Sequence, residues 1–113
     1  ALITGMDDPL KIVRLYKDRL HMMHLSDNHG LRSESCWESG LEMAPCDEHK
    51  NPFQGLFPWD EFAKIVAESP YELPVVLEVS KRDADEEAFL KESLEAGNKF
   101  TEMVLAYRNK INE

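Results

Sequence analysis

No stretch of this chain approaches the roughly 18 to 20 consecutive apolar residues that span a bilayer, which excludes a transmembrane helix of the usual kind. The opening Ala1-Leu-Ile-Thr-Gly-Met-Asp-Asp8 has neither the basic start nor the apolar core of a signal peptide. It also has no initiating Met, so a processed chain or a part of something longer is expected. Basic residues are scarce, 13 Lys and Arg against 22 Asp and Glu, for a net charge of −9. Nucleic-acid affinity comes largely from cations neutralising phosphates, so nucleic acid is not a favoured partner. Cysteine is limited to Cys36 and Cys46. With no secretion signal, reduced thiols and a cytoplasmic location are expected. Internal repeats and low-complexity segments are absent.

What is present suits one small domain: 113 residues, 42% hydrophobic and 31% charged. Asp8-Pro9 predicts a helix start, an Asp cap followed by Pro where its missing N–H costs nothing. Leu10, Val13, Ile12 and Tyr16 carry that helix to about Arg19. The run from Leu20 to Leu25 reads as a buried strand, ended by the turn formers Ser26 to Gly30. Residues 31–57 show no clean period. Pro58 opens a second helix with Phe62, Ile65 and Val66 on one face, and Ser69-Pro70 stops it. Leu73 to Val79 is rich in β-branched residues and predicts a second strand. Asp83-Ala-Asp-Glu86 resembles a capping box and predicts a long last helix using Phe89, Leu90, Leu94, Val104 and Tyr107 as core contacts.

Strands separated by helices imply parallel neighbours joined by a crossover. A parallel sheet needs both faces covered, and two strands leave two bare edges. Strands from another chain, or membership of a larger barrel or sheet, are therefore expected.

Side chains alternate along a strand, so Met22, His24 and Ser26 share one face and Met23 and Leu25 the other. Val76, Glu78 and Ser80 likewise lie opposite Val75, Leu77 and Val79. The apolar sets suit the helix-facing side. His24 and Glu78 then fall on the other side, near the strand C-termini where parallel α/β folds bind ligands. Asp47 and His49, two apart in the following loop, complete a His, Asp, His, Glu set able to bind a divalent cation. Imidazole and carboxylate donors suit Zn, Mn, Co or Fe(II). Each residue also has a plain structural role open to it. His24 can be a hydrogen-bonded strand residue, Asp47 and His49 a solvated turn. His21 and His29 read as structural or surface residues.

Taken in order, His24-Leu-Ser-Asp-Asn28, Asp47-Glu-His-Lys-Asn-Pro-Phe-Gln-Gly55, Trp59-Asp-Glu-Phe62 and Val76-Leu-Glu-Val79 resemble the C-terminal part of the xylose-isomerase-like TIM barrels, also called AP endonuclease family 2. The resemblance implies an α/β fold, the C-terminal part of a (β/α)8 barrel holding two parallel strands, the seventh and eighth, with flanking helices. It implies His24 and Glu78 as metal ligands, Glu78 also as a catalytic acid–base group, and Asp47 and His49 as the Asp-x-His pair that binds further metal or substrate. Asp27 would lie near the substrate or just behind it. Phe53 stands where the family usually has the first Gly of Pro-Gly-x-Gly, so the loop is expected to differ there. A whole barrel takes about 250 residues. Its remaining ligands, a Glu and an Asp on earlier strands, would lie upstream of Ala1. The chain is thus expected to be completed by a missing N-terminal part or by homo-oligomerisation.

The function implied is that of a fragment or short relative of a metal-dependent sugar or sugar-phosphate isomerase or epimerase, using Mn, Co or Zn. An abasic-site endonuclease-like phosphodiesterase is the alternative enzyme, disfavoured by the acidic charge. A non-catalytic oligomeric module is the third reading.

Overall fold

Asp8 caps the first helix, its carboxylate accepting a hydrogen bond from the Leu10 amide at 2.9 Å. The helix, α1, runs Pro9–Tyr16 and tightens into a 3-10 turn over Lys17–Arg19. In the computed structural model, residues 8–29, 48–72 and 74–113 are described. They continue through β1 (His24–Leu25), α2 (Trp59–Glu68), β2 (Val76–Leu77) and α3 (Glu86–Ile111). The strands are parallel, with His24 opposite Val76 and Leu25 opposite Leu77. The amides of Val76 and Glu78 donate to the carbonyls of Met23 and Leu25 at 3.3 and 2.9 Å. β1, α2 and β2 thus form a strand–helix–strand crossover unit, the arrangement expected of an α/β fold.

The core lies on the helix side of this sheet. Met23 and Leu25 are buried there, with Val75 and Leu77 packed against it, while His24 and Val76 face outward. Alternation along the strands therefore sorts as the sequence predicts. From α2, Trp59, Phe62, Ile65 and Val66 all point into the core. Phe100 and Val104 of α3 and Leu10 of α1 meet them. The Phe62 and Phe100 rings stack at 5.4 Å between centroids, and Trp59 meets Phe100 edge-on at 5.7 Å. Such aromatic pairs add about 0.5 to 1.5 kcal/mol each beyond simple burial.

The end of α2 is closed from a distance. Ser69 Oγ donates to the Val66 carbonyl at 2.6 Å, and Arg108 of α3 donates to the carbonyls of Val66, Ala67, Ser69 and Tyr71. The last carbonyls of a helix have no amide four residues on to bond them, and a cation near a helix C-terminus also offsets the dipole.

Several expectations change. Both strands are shorter than their apolar runs, two residues each. The last helix is capped by Asp85 rather than Asp83, its carboxylate accepting from the Ala88 amide at 2.9 Å. Leu90 and Leu94, expected in the core, are 60% and 64% exposed, and Phe100 takes their place. Ile12 and Tyr16 of α1 are likewise exposed.

Candidate functional site

The parallel register sets His24 beside the residues that lead to Glu78. His24 Nδ1 lies 3.0 Å from Glu78 Oε2, with both side chains about half exposed. An ionised carboxylate only accepts, so Nδ1 is the donor here, and Nε2 lies on the side of the ring away from that contact. Carboxylates that hold a histidine in this way are common behind metal-binding imidazoles.

His49 and Lys50 lie as a wedge between the strand ends. Lys50 exchanges two backbone hydrogen bonds with Asp27, at 2.8 and 2.9 Å, as an antiparallel bridge. One residue earlier, the His49 carbonyl accepts from the Ser80 amide at 2.8 Å, beyond β2. His49 Nδ1 donates to the Glu78 carbonyl at 3.0 Å. His49 thus meets the backbone of Glu78 rather than its carboxylate. No three His, Cys, Asp or Glu side chains converge on one point among the described residues. Asp47 lies outside the described residues, as do both cysteines.

Asp27 sits beneath this rim, wholly buried. Its Oδ1 accepts from the amides of Asn28 and Phe57 at 2.8 and 3.1 Å. Its Oδ2 accepts from the Gly55 amide and the Trp59 indole at 2.9 and 2.7 Å. A buried carboxylate is costly unless its oxygens are engaged, and here four donors engage them. Asp27 therefore holds the loop, with no side-chain surface turned to solvent. The backbone is tight at the same point. A Cβ on Gly55 would stand 2.4 Å from both the Asn28 carbonyl oxygen and Asp27 Oδ1.

Phe53 adopts φ 76°, the left-handed region that glycine enters freely. The loop keeps a glycine-like backbone there despite the side chain. The Phe53 ring packs 5.7 Å from Trp59, with Lys99 Nζ 4.0 Å from its centroid. These contacts offset part of the cost of a bulky residue in that region.

Glu48, the middle member of Asp-Glu-His, is a carboxylate beside this rim that the sequence pattern passes over. His29 donates to its Oε2 from both the ring, at 2.8 Å, and the amide, at 2.7 Å. Burial pushes the Glu48 carboxyl upward, but the His29 bonds, with the charges of His29 and Lys50, outweigh it and hold the pKa below the ordinary value. The visible signal was a histidine and a carboxylate flanking the same loop.

A family model described as Xylose isomerase-like TIM barrel matches residues 1–100. The chain belongs to this family. The match agrees with the parallel strand–helix–strand unit. No curated protein and no solved structure matches the chain. Among the described residues of this family member, no helix is long and apolar enough to cross a membrane.

Proposed function

We propose that this chain carries part of the active site of a metal-dependent sugar or sugar-phosphate isomerase or epimerase. The observation that carries the reading is the His24–Glu78 contact, an imidazole and a carboxylate joined at 3.0 Å on the exposed face of parallel strands. Both donor types suit Mn, Co or Zn, and both side chains are open to solvent. The pair fits as part of a site, since zinc takes at least four ligands and the other metals commonly more. Further ligands come, in this reading, from strands beyond β1 and β2. Family membership supports that source, because barrel sites draw residues from the ends of several strands.

His24 would hold the ion through Nε2, and the Glu78 carboxylate, bonded to Nδ1 of the same ring, would orient that imidazole from behind. A bound divalent cation polarises hydroxyl and carbonyl oxygens, which eases proton removal beside them. Glu78 has the chemistry to take and return that proton. His49, held to the Glu78 backbone through Nδ1, would contact the substrate from this side of the rim. Asp27 acts indirectly, by positioning the loop that carries His49.

The test is titration calorimetry with Mn, Co and Zn, beside proton NMR of aldoses, ketoses and their phosphates in deuterated water. Saturable metal binding lost in both His24→Ala and Glu78→Gln supports the site, and exchange of the proton next to the carbonyl supports the reaction. Equal binding by wild type and both variants would remove this pair from any metal site. Cleavage of abasic DNA without sugar exchange would move the assignment to the phosphodiesterase branch.

A further inference from the structure

The helix α3 is apolar on two sides. Phe100 and Val104 enter the core, while Leu90, Leu94 and Leu105 stand 60%, 64% and 50% exposed. The three leucines recur at helical spacing, so with Thr101 they form one stripe along a regular helix. Scattered exposed leucines are ordinary, but an aligned set marks a contact surface. Leu94 and Leu105 also border a groove of about 540 Å³, whose opposite wall holds Val75 and Leu77. With 26 residues, α3 is about 39 Å long, enough to seat a second helix along it.

The charges along this stripe bear on what covers it. Glu87 and Lys91 lie beside its first half, Glu102 and Arg108 beside its second. Glu87, Lys91 and Glu102 are exposed and have no ion-pair partner among the described residues. Arg108 is engaged only by carbonyl oxygens, which leave its charge unneutralised. A second α3 laid antiparallel over the stripe, crossing near Gly97 and Asn98, sets Leu90 opposite the partner's Leu105. The same register sets Glu87 opposite the partner's Arg108, and Lys91 within one turn of the partner's Glu102. Two-fold symmetry makes each of these contacts twice. Parallel alignment would put every charge beside its like. A foreign segment needs only an apolar face, whereas charges matched by their own reversal suit a copy of the same helix.

We propose that α3 is a self-docking surface, on which two copies of this chain pair their last helices antiparallel through the exposed leucines. The assignment does not depend on the metal chemistry of His24 and Glu78.

Sedimentation equilibrium of the full chain over a range of concentrations tests it. A dimer of twice the 13.0 kDa chain mass is expected, dissociating on dilution. Leu105→Asp is expected to weaken it about tenfold or more while circular dichroism still reports a folded helical protein. If that variant fails to fold, Leu90→Lys provides the same reading. Lys91→Glu and Glu102→Lys should each weaken the dimer about threefold or more, and the two together should restore it. Only antiparallel pairing gives that repair, since a parallel pair sets like charges together in wild type and double variant alike. His24→Ala should leave dimerisation as it was, so failure of the metal site and failure of this surface are distinguishable. A folded species of single-chain mass at every concentration would overturn the proposal and leave the groove to a different segment. A dimer indifferent to Leu105→Asp and to both charge reversals would overturn it as well, moving the contact to the strand edges or to α1.

Discussion

Asp27 shows how much one side chain can organise. Its two oxygens receive four hydrogen bonds, from positions 28, 55, 57 and 59. Asp27→Ala strands those donors in the interior, and a loss of about 3 kcal/mol or more is expected as a fall in the urea midpoint. Gly55→Ala should cost about 1 to 3 kcal/mol by the same measurement, because its Cβ meets backbone and carboxylate atoms at 2.4 Å. An unshifted midpoint in either variant would show that the loop yields easily. Glu48 makes a prediction in pH. Its folded pKa lies below the ordinary 4.5, so its contribution is complete above that value and disappears as pH falls through the folded one. Carbon-13 NMR of the Glu48 carboxyl should titrate below 4.5, and a midpoint at or above it would contradict the His29 contact. At this scale the sequence discloses that His24 and Glu78 share a face, since strand alternation is a local rule. It does not disclose the four-donor role of Asp27, which the resemblance placed near the substrate or just behind it. Three of its donors come from about thirty residues away, a separation no periodicity records.

Among the elements, the α2 face was fully legible, because Phe62, Ile65 and Val66 recur at helical spacing and all three are buried. The long α3 was legible as a helix but not in its orientation. Leu90 and Leu94 share its apolar stripe, yet packing against α2 selects the segment around Phe100 and Val104 instead. Its start also shifts to Asp85, after Arg82 turns the chain through a left-handed φ of 50°. Gly97 gives the element its test. A Cβ there would meet Leu77 Cδ1 at 3.5 Å, ordinary contact within a regular helix. Gly97→Ala should therefore stabilise the protein by about 1 kcal/mol, read as a higher melting temperature. A lower one would mean that β2 and α3 pack more closely than this spacing.

For the whole molecule, the described strands form a two-stranded sheet, and among the described residues each has an edge with no neighbouring strand. Apolar side chains flank both sides of the unit: Ile12 and Leu15 on α1, Leu94 and Leu105 on α3. Beside α3, a groove of about 540 Å³ also includes Leu77 and Val104. Parallel strands are normally covered on both faces and continued at their edges. Self-association through these surfaces is accordingly expected, and light scattering should give a mass above the 13.0 kDa of one chain. A folded, cooperatively melting species of single-chain mass would show that the edges tolerate water. Sequence alone indicated the need for neighbours, because the strand count is small, but not where the uncovered grease would lie.

The wedge formed by His49 and Lys50 has one more consequence. Its backbone is sewn to Asp27 on one side and to Ser80 on the other, while Leu56 is tied to Asn28. Among the described residues, the stretch from His49 to Leu56 is tied at both ends. What a visiting molecule meets along that stretch is a mould already set rather than a door that closes behind it.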